Sequence, residues 1–145
     1  MRIDKVRLAA LIATLIHYLK GEAEAKIPVW RMISAPPDDI AARAARWAEA
    51  LGKIARVIPG ETMVGGGSLP GGTLPTKLVS VGEEGKRKDA SLAQDLSRHL
   101  RNREIPVVGR LSGRVLLLDP RSVLPEEDGV IIEALKAGAA LLSEK

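Results

Sequence analysis

The sequence predicts an α+β domain, a small antiparallel or mixed sheet with helices on one face, preceded by a helical arm. Three observations predict it. From residue 54 onward the apolar pattern reads strand, strand, helix, strand, strand, helix, the order of a sheet whose helices are segregated to one side. Ser112 and Gly113 lie between two apolar runs, as a hairpin turn does. Ahead of these, Asp4 to Lys20 carries apolar residues at helical spacing.

The arm begins at Asp4, a residue type that caps helix N-termini by accepting from free backbone amides. Val6, Leu8, Ala9, Leu11, Ile12, Leu15, Ile16 and Leu19 then give it a wide apolar face. A helix that is apolar on most sides needs partners on most sides. Gly21 to Pro37 reads as a connector punctuated by Pro28, Pro36 and Pro37. A second helix follows over Asp38 to Leu51, with Ile40, Ala44, Trp47, Ala48 and Leu51 as its stripe and Gly52 as its stop. The expected division is therefore residues 1–53, an interdomain helix, connector and second helix, and residues 54–145, the α+β domain.

Within that domain the expected strands are Ile54 to Ile58, Leu78 to Val81, Val107 to Leu111 and Val115 to Leu118. The expected helices are Ala90 to Arg103 and Glu126 to Leu142. Pro59 to Thr76 is expected to be a loop, long for so small a domain, and long ordered loops are more often functional than not.

Composition bounds the chemistry. Apolar residues make up 46% of the 145, enough for a core, yet there is no Phe, one Tyr and two Trp. The core must be aliphatic, and a stacking platform for single-stranded nucleic acid lacks its aromatics. The absence of cysteine excludes disulfides, thiolate metal sites and cysteine nucleophiles. His17 and His99 are too far apart to read as a zinc-ligand pair. The run from Leu8 to Leu19 is shorter than a membrane span, so a soluble cytoplasmic protein is expected, with no membrane partner. The formal charge of +4 gathers at Lys86 to Lys88 and at Arg98, Arg101 and Arg103, which reads as a solvated face with some attraction for anions.

The most informative segment is Val64 to Gly71, which contains Gly65-Gly66-Gly67-Ser68-Leu69-Pro70. Consecutive glycines admit positive φ, let a ligand approach the backbone, and can offer amides to an anion. The Lys-Ser/Thr pair of a P-loop is missing. Ser68 has no neighbouring base in the sequence to activate it. Glu126, Glu127 and Asp128 read as first-turn acids that favour the helix dipole. His17 reads as packed or interfacial, and His99 as solvent-facing. Among Arg110, Arg114 and Arg121, one aimed at the glycine segment could hold a carboxylate in bidentate fashion. From the residues alone, no complete catalytic constellation is visible.

Four stretches go further. Arg2 to Leu19 resembles the R-x-D-K-x-x-L-A-A-L-x-A-T-L-x-x-Y-L segment of bacterial selenocysteine synthases, the L-seryl-tRNA(Sec) selenium transferases. Ile27 to Ile33 resembles the proline-containing segment after it. Gly65 to Pro70 with Leu74-Pro75 is similar to the family's G-G-G-S-L-P…L-P loop. Pro106 to Arg110 with Leu116 to Val123 resembles its P-V-I-G-R…L-L-L-D-x-R-T-V end. The stretches cover nearly the whole chain in the family's order.

The resemblance implies the C-terminal small domain of a fold-type-I pyridoxal-phosphate enzyme. It implies a reaction in which seryl-tRNA(Sec), with the cofactor as electron sink, becomes selenocysteinyl-tRNA(Sec) using selenophosphate. It places the Schiff-base lysine upstream of the R-x-D-K stretch, so no catalytic residue is expected within these 145, and the chain alone is expected to be inactive. Lys5 belongs to that stretch and is not the cofactor lysine. Arg2, Gly65, Gly66, Gly67, Ser68 and Arg110 are the implied substrate- or anion-binding residues, with no metal. The implied partners are the N-terminal cofactor domain of the same enzyme, seryl-tRNA(Sec), selenophosphate and further copies in a homo-oligomer. The alternatives are the small domain of a related pyridoxal-phosphate lyase, or a non-catalytic oligomerisation or tRNA-contact module.

Overall fold

A computed structural model of the chain describes residues 4–65, 72–82 and 87–143. The chain divides into two compact units, Met1–Ala35 and Pro36–Lys145.

In the first unit Asp4 caps helix α1 (Lys5–Leu19). Its Oδ1 accepts from the amides of Val6 at 2.8 Å and Arg7 at 3.1 Å. The apolar face is exposed: no residue of α1 is buried, and Leu11, Ile12 and Leu15 each keep 49% of their surface. The expected connector is partly helical. A short α2 (Ala23–Lys26) and α3 (Pro28–Ser34) occupy it, with Pro28 in the first turn of α3, where its fixed φ suits a helix start and its missing N–H leaves nothing unpaired. Trp30 Nε1 donates to the Tyr18 hydroxyl at 2.6 Å, linking α3 to α1.

The second unit begins with α4 (Pro37–Leu51), one helix earlier than the expected boundary at 53/54. The reason is burial. Ile40, Ala44, Trp47 and Leu51 are all enclosed, and α4 packs on the sheet and on the last helix. Four strands follow in the spatial order β1-β2-β4-β3: β1 (Ala55–Met63), β2 (Thr73–Val81), β3 (Arg110–Ser112) and β4 (Val115–Leu118). Every pairing is antiparallel, so the sheet is not mixed. Helix α5 (Arg87–Arg101) joins β2 to β3, and α6 (Asp128–Ser143) closes the chain after two single 3₁₀ turns, Pro120–Ser122 and Pro125–Glu127.

The helices lie on one face. Val79 and Val81 of β2 and Leu116 and Leu118 of β4 share a single core with Trp47 of α4, Leu96 and Leu100 of α5 and Leu135 of α6. Alternation sends Leu78, Val115 and Leu117 to the opposite face, where with Ile58 they form a smaller apolar cluster.

Two strands run further than their apolar runs. β1 passes through Pro59 because it is an edge strand, where a residue without an N–H is tolerated. Gly60 is needed beside it: a Cβ there would collide with the Leu78 side chain. Both ends of the loop expected from Pro59 to Thr76 are therefore strand, Pro59–Met63 in β1 and Thr73–Thr76 in β2. Conversely the strand expected over Val107 to Leu111 is only Arg110–Ser112. The hairpin turn is Gly113-Arg114, with Ser112 already paired to Val115, and Gly113 takes the positive φ of 58° that the first position of such a turn demands.

Candidate functional site

Strand alternation decides what stands on the helix-free face. Arg110 is directly opposite Leu117, so the two share that face, and Asp119 continues the alternation just past the end of β4. On β1 and β2 the same face carries Thr62 and Thr76.

Asp119 draws these strands together. Its Oδ1 accepts from the Thr76 hydroxyl at 2.8 Å and from the Arg121 amide at 3.0 Å, and Thr62 Oγ1 donates to its Oδ2. Arg121 itself is buried, and its Nη2 donates to the carbonyl of Pro75 at 2.9 Å. A cavity of about 320 Å³ opens here, with Glu61, Thr62, Gly109, Arg110, Asp119 and Ser122 on its walls. A neighbouring, more apolar cavity of about 300 Å³ shares Val108, Asp119 and Ser122 with it and extends toward Trp47 and Val130. Among the described residues, the groove walls carry one cation, Arg110, and the carboxylates of Glu61, Asp119 and Glu127.

A buried ion pair lies deeper. Arg43 on α4 and Asp128 at the start of α6 are 5% and 7% exposed. Arg43 Nε and Nη2 both donate to the carboxylate, at 3.0 and 2.8 Å. Its remaining donors reach the carbonyls of Pro120 and Val123 at 2.8 and 2.9 Å. Arg46 Nη2 and Trp47 Nε1 also donate to Asp128, at 3.0 and 3.1 Å, and the Arg43 guanidinium sits 5.7 Å from the Trp47 ring centre. Asp128 thus does more than complement a helix dipole. The sequence showed Arg43 as one arginine in an amphipathic helix, and only its place on the buried side of α4, in register with Ile40 and Trp47, signals the role.

The expected site residues fall out as follows. Arg2, Gly66, Gly67 and Ser68 lie outside the described residues. Gly65 stands beyond the end of β1 with φ of 125°, a conformation L side chains rarely adopt, and its neighbour Val64 donates its amide to the Gly72 carbonyl at 3.1 Å. Arg110 lines the groove. Asp119 and Thr62 are groove residues that sequence reasoning did not single out, and neither did it single out Thr76, the buried partner of Asp119. Both histidines have fixed surroundings. His17 Nδ1 donates to Glu22 Oε1 at 2.8 Å, and that hydrogen bond, helped by His17, Lys20 and Lys26 as nearby charges, holds the Glu22 carboxyl below its usual 4.5. His99 is not solvent-facing: its Nε2 is enclosed and without a hydrogen-bond partner, and its ring lies against Gly138 of α6.

Among the described residues, no cluster of three or more His, Cys, Asp or Glu is placed to hold a metal, and no helix is long and apolar enough to cross a membrane. No lysine lines either part of the groove or the third cavity, of about 400 Å³, between α5 and α6. Among the described residues, these cavities offer no amine that could hold pyridoxal phosphate as a Schiff base.

The fold and groove define an α+β domain with helices on one face of an antiparallel sheet and, on the other, a small apolar cluster beside a groove with charged walls. The family model described as SelA, L-seryl-tRNA selenium transferase, matches residues 1–124. The chain is 42% identical over 148 aligned positions to the L-seryl-tRNA(Sec) selenium transferase of Nitratidesulfovibrio vulgaris (strain Hildenborough), covering 97% of this chain and 30% of the relative. It is 42% identical to that of Desulfomicrobium baculatum and 38% identical to that of Geotalea uraniireducens, each covering 94% of this chain and 30% of the relative. The chain belongs to the L-seryl-tRNA selenium transferase family. It spans about 30% of the length of these relatives.

Proposed function

We propose that the chain is the C-terminal small domain and helical arm of a fold-type-I pyridoxal-phosphate enzyme. The whole enzyme converts seryl-tRNA(Sec) to selenocysteinyl-tRNA(Sec) with selenophosphate as donor. The observation that carries this reading is the family match across nearly the whole chain. The cofactor is held by the N-terminal domain, which supplies the Schiff-base lysine. The enzyme works as a cytoplasmic homo-oligomer.

In this reading Arg2, the segment from Gly65 to Ser68 and Arg110 contact the anionic parts of the substrates. The groove supports the part given to Arg110. Its guanidinium stands on the helix-free face at an open cavity, and a guanidinium presents a planar fork suited to phosphate oxygens. The exposed apolar face of α1 supports the arm's role as a docking element for the rest of the enzyme.

The test is a chimera in which this chain replaces the matching segment of the Nitratidesulfovibrio vulgaris relative. The expected result is selenium transfer to seryl-tRNA(Sec), reduced by Arg110→Ala. A chimera that assembles and binds pyridoxal phosphate but transfers no selenium overturns the reading.

A further inference from the structure

We infer that Asp119 is a positioning residue for this reaction, locking the end of β1, just ahead of Gly65, to the strand pair that carries Arg110. The inference rests on the function proposed above and adds to it a residue that touches no substrate.

The geometry is specific. Asp119 takes donors from three separate stretches of chain: Thr62 near the end of β1, Thr76 in β2, and the backbone of Arg121 beyond β4. Arg110 pairs with Leu117, close behind Asp119 on the same face. The Val64–Gly72 hydrogen bond continues the β1–β2 ladder to the edge of the glycine segment. The two implied anion contacts, Gly65 and Arg110, are therefore held to each other through one carboxylate.

Charge argues for positioning over binding. A carboxylate on the same cavity wall opposes the anion that Arg110 attracts, so a direct role would weaken the site. What Asp119 supplies is acceptor capacity. An ionised carboxylate only accepts, and it can take all three donors at once. An asparagine offers a single acceptor oxygen and two unwanted donors. Thr76 is buried, so a lost acceptor leaves its hydroxyl unsatisfied and pushes the strands to rearrange.

The experiment uses the same chimera, with Asp119→Asn, Asp119→Glu, Thr62→Val and the pair Asp119→Asn with Arg110→Ala. Hydrogen exchange is read at the amides of Val64 and Arg121. Kinetics are read as a function of selenophosphate. Asp119→Asn is expected to speed exchange at both amides by about tenfold. It should raise KM for selenophosphate about tenfold with kcat within about twofold, the mark of a displaced contact. Thr62→Val should give a smaller change of the same kind, and Asp119→Glu should restore part of the loss. The double variant should lose little beyond Arg110→Ala alone, because the two act through one contact.

Unchanged exchange in Asp119→Asn and Thr62→Val overturns the inference. So does a loss in kcat alone, or additive losses in the double variant. If the unsubstituted chimera transfers no selenium, it is the functional reading that fails. Exchange then decides the clamp by itself: faster exchange upholds it and unchanged exchange removes it.

Discussion

Arg43 and Asp128 form a doubly hydrogen-bonded ion pair, at 3.0 and 2.8 Å, between the buried side of α4 and the first residue of α6. The same arginine donates to the carbonyls of Pro120 and Val123, so it fixes the path of the chain from the end of β4 into the last helix. That path carries Asp119 and Arg121. The ion pair thus supports the groove from the helix side of the sheet, where Trp47 both lines the groove and donates to Asp128.

Removing one partner leaves a buried charge without its counter-charge. Asp128→Ala or Arg43→Ala is expected to cost about 3–5 kcal/mol, whereas replacing both with apolar residues of similar volume costs far less. Urea denaturation of the two single variants and of Arg43→Met with Asp128→Leu checks this. Single variants within about 1 kcal/mol of the parent would show that the pair is not desolvated as its burial implies.

Gly138 marks where α5 and α6 touch. A Cβ at that position would collide with a Leu96 methyl, while the His99 ring lies at 3.4 Å. Gly138→Ala is expected to destabilise by about 1–3 kcal/mol through overpacking. Leu96→Ala is itself destabilising, but in its background the alanine at 138 should cost almost nothing more. A double-variant cycle by thermal denaturation measures this, and additive losses would place the strain elsewhere.

Glu22 gives the first unit a pH dependence. Its carboxyl is held below 4.5 chiefly by the hydrogen bond from His17. A folded-state value below the unfolded one means that the contact stabilises fully above 4.5 and is lost as pH falls through the lower, folded value. Following the Glu22 side chain by carbon NMR from neutral pH downward should place its midpoint below 4.5, and His17→Asn should move the midpoint back up. A midpoint unmoved by His17→Asn would assign the shift to Lys20 and Lys26 instead.

Much of this was legible in the sequence, for physical reasons. The helices announced themselves by period, and Asp4 by its capping chemistry. β4 is a run of four apolar residues followed by Asp119-Pro120, and a proline after such a run leaves little freedom in where it stops. What was hidden depended on distant partners. Pro59 looks like a strand breaker until β1 is known to be an edge. Pro28 looks like a linker residue until it is seen to open α3. Asp119, Thr62 and Thr76 are polar residues in unremarkable surroundings along the chain, and only the β1–β2–β4 register brings them together. His99, read as solvent-facing beside its arginines, turns toward α6 because Gly138 makes room there.

Asp4 tests how far α1 relies on its own cap. The helix buries none of its residues, so it lacks the core contacts that usually hold a helix in a protein, and its N-terminal amides depend on the Asp4 side chain. Asp4→Ala is expected to cost about 1 kcal/mol of local stability, and Asp4→Asn only a fraction of that, since asparagine caps nearly as well. Amide exchange at Val6 and Arg7 measures the loss directly: both should speed in the alanine variant and hold near parent values in the asparagine variant. The buried core around Trp47 lies in the other unit, so exchange at the amide of Leu116 should not change. If Leu116 responds as strongly as Val6, the arm and the sheet domain unfold together, and α1 draws its stability from more than its cap.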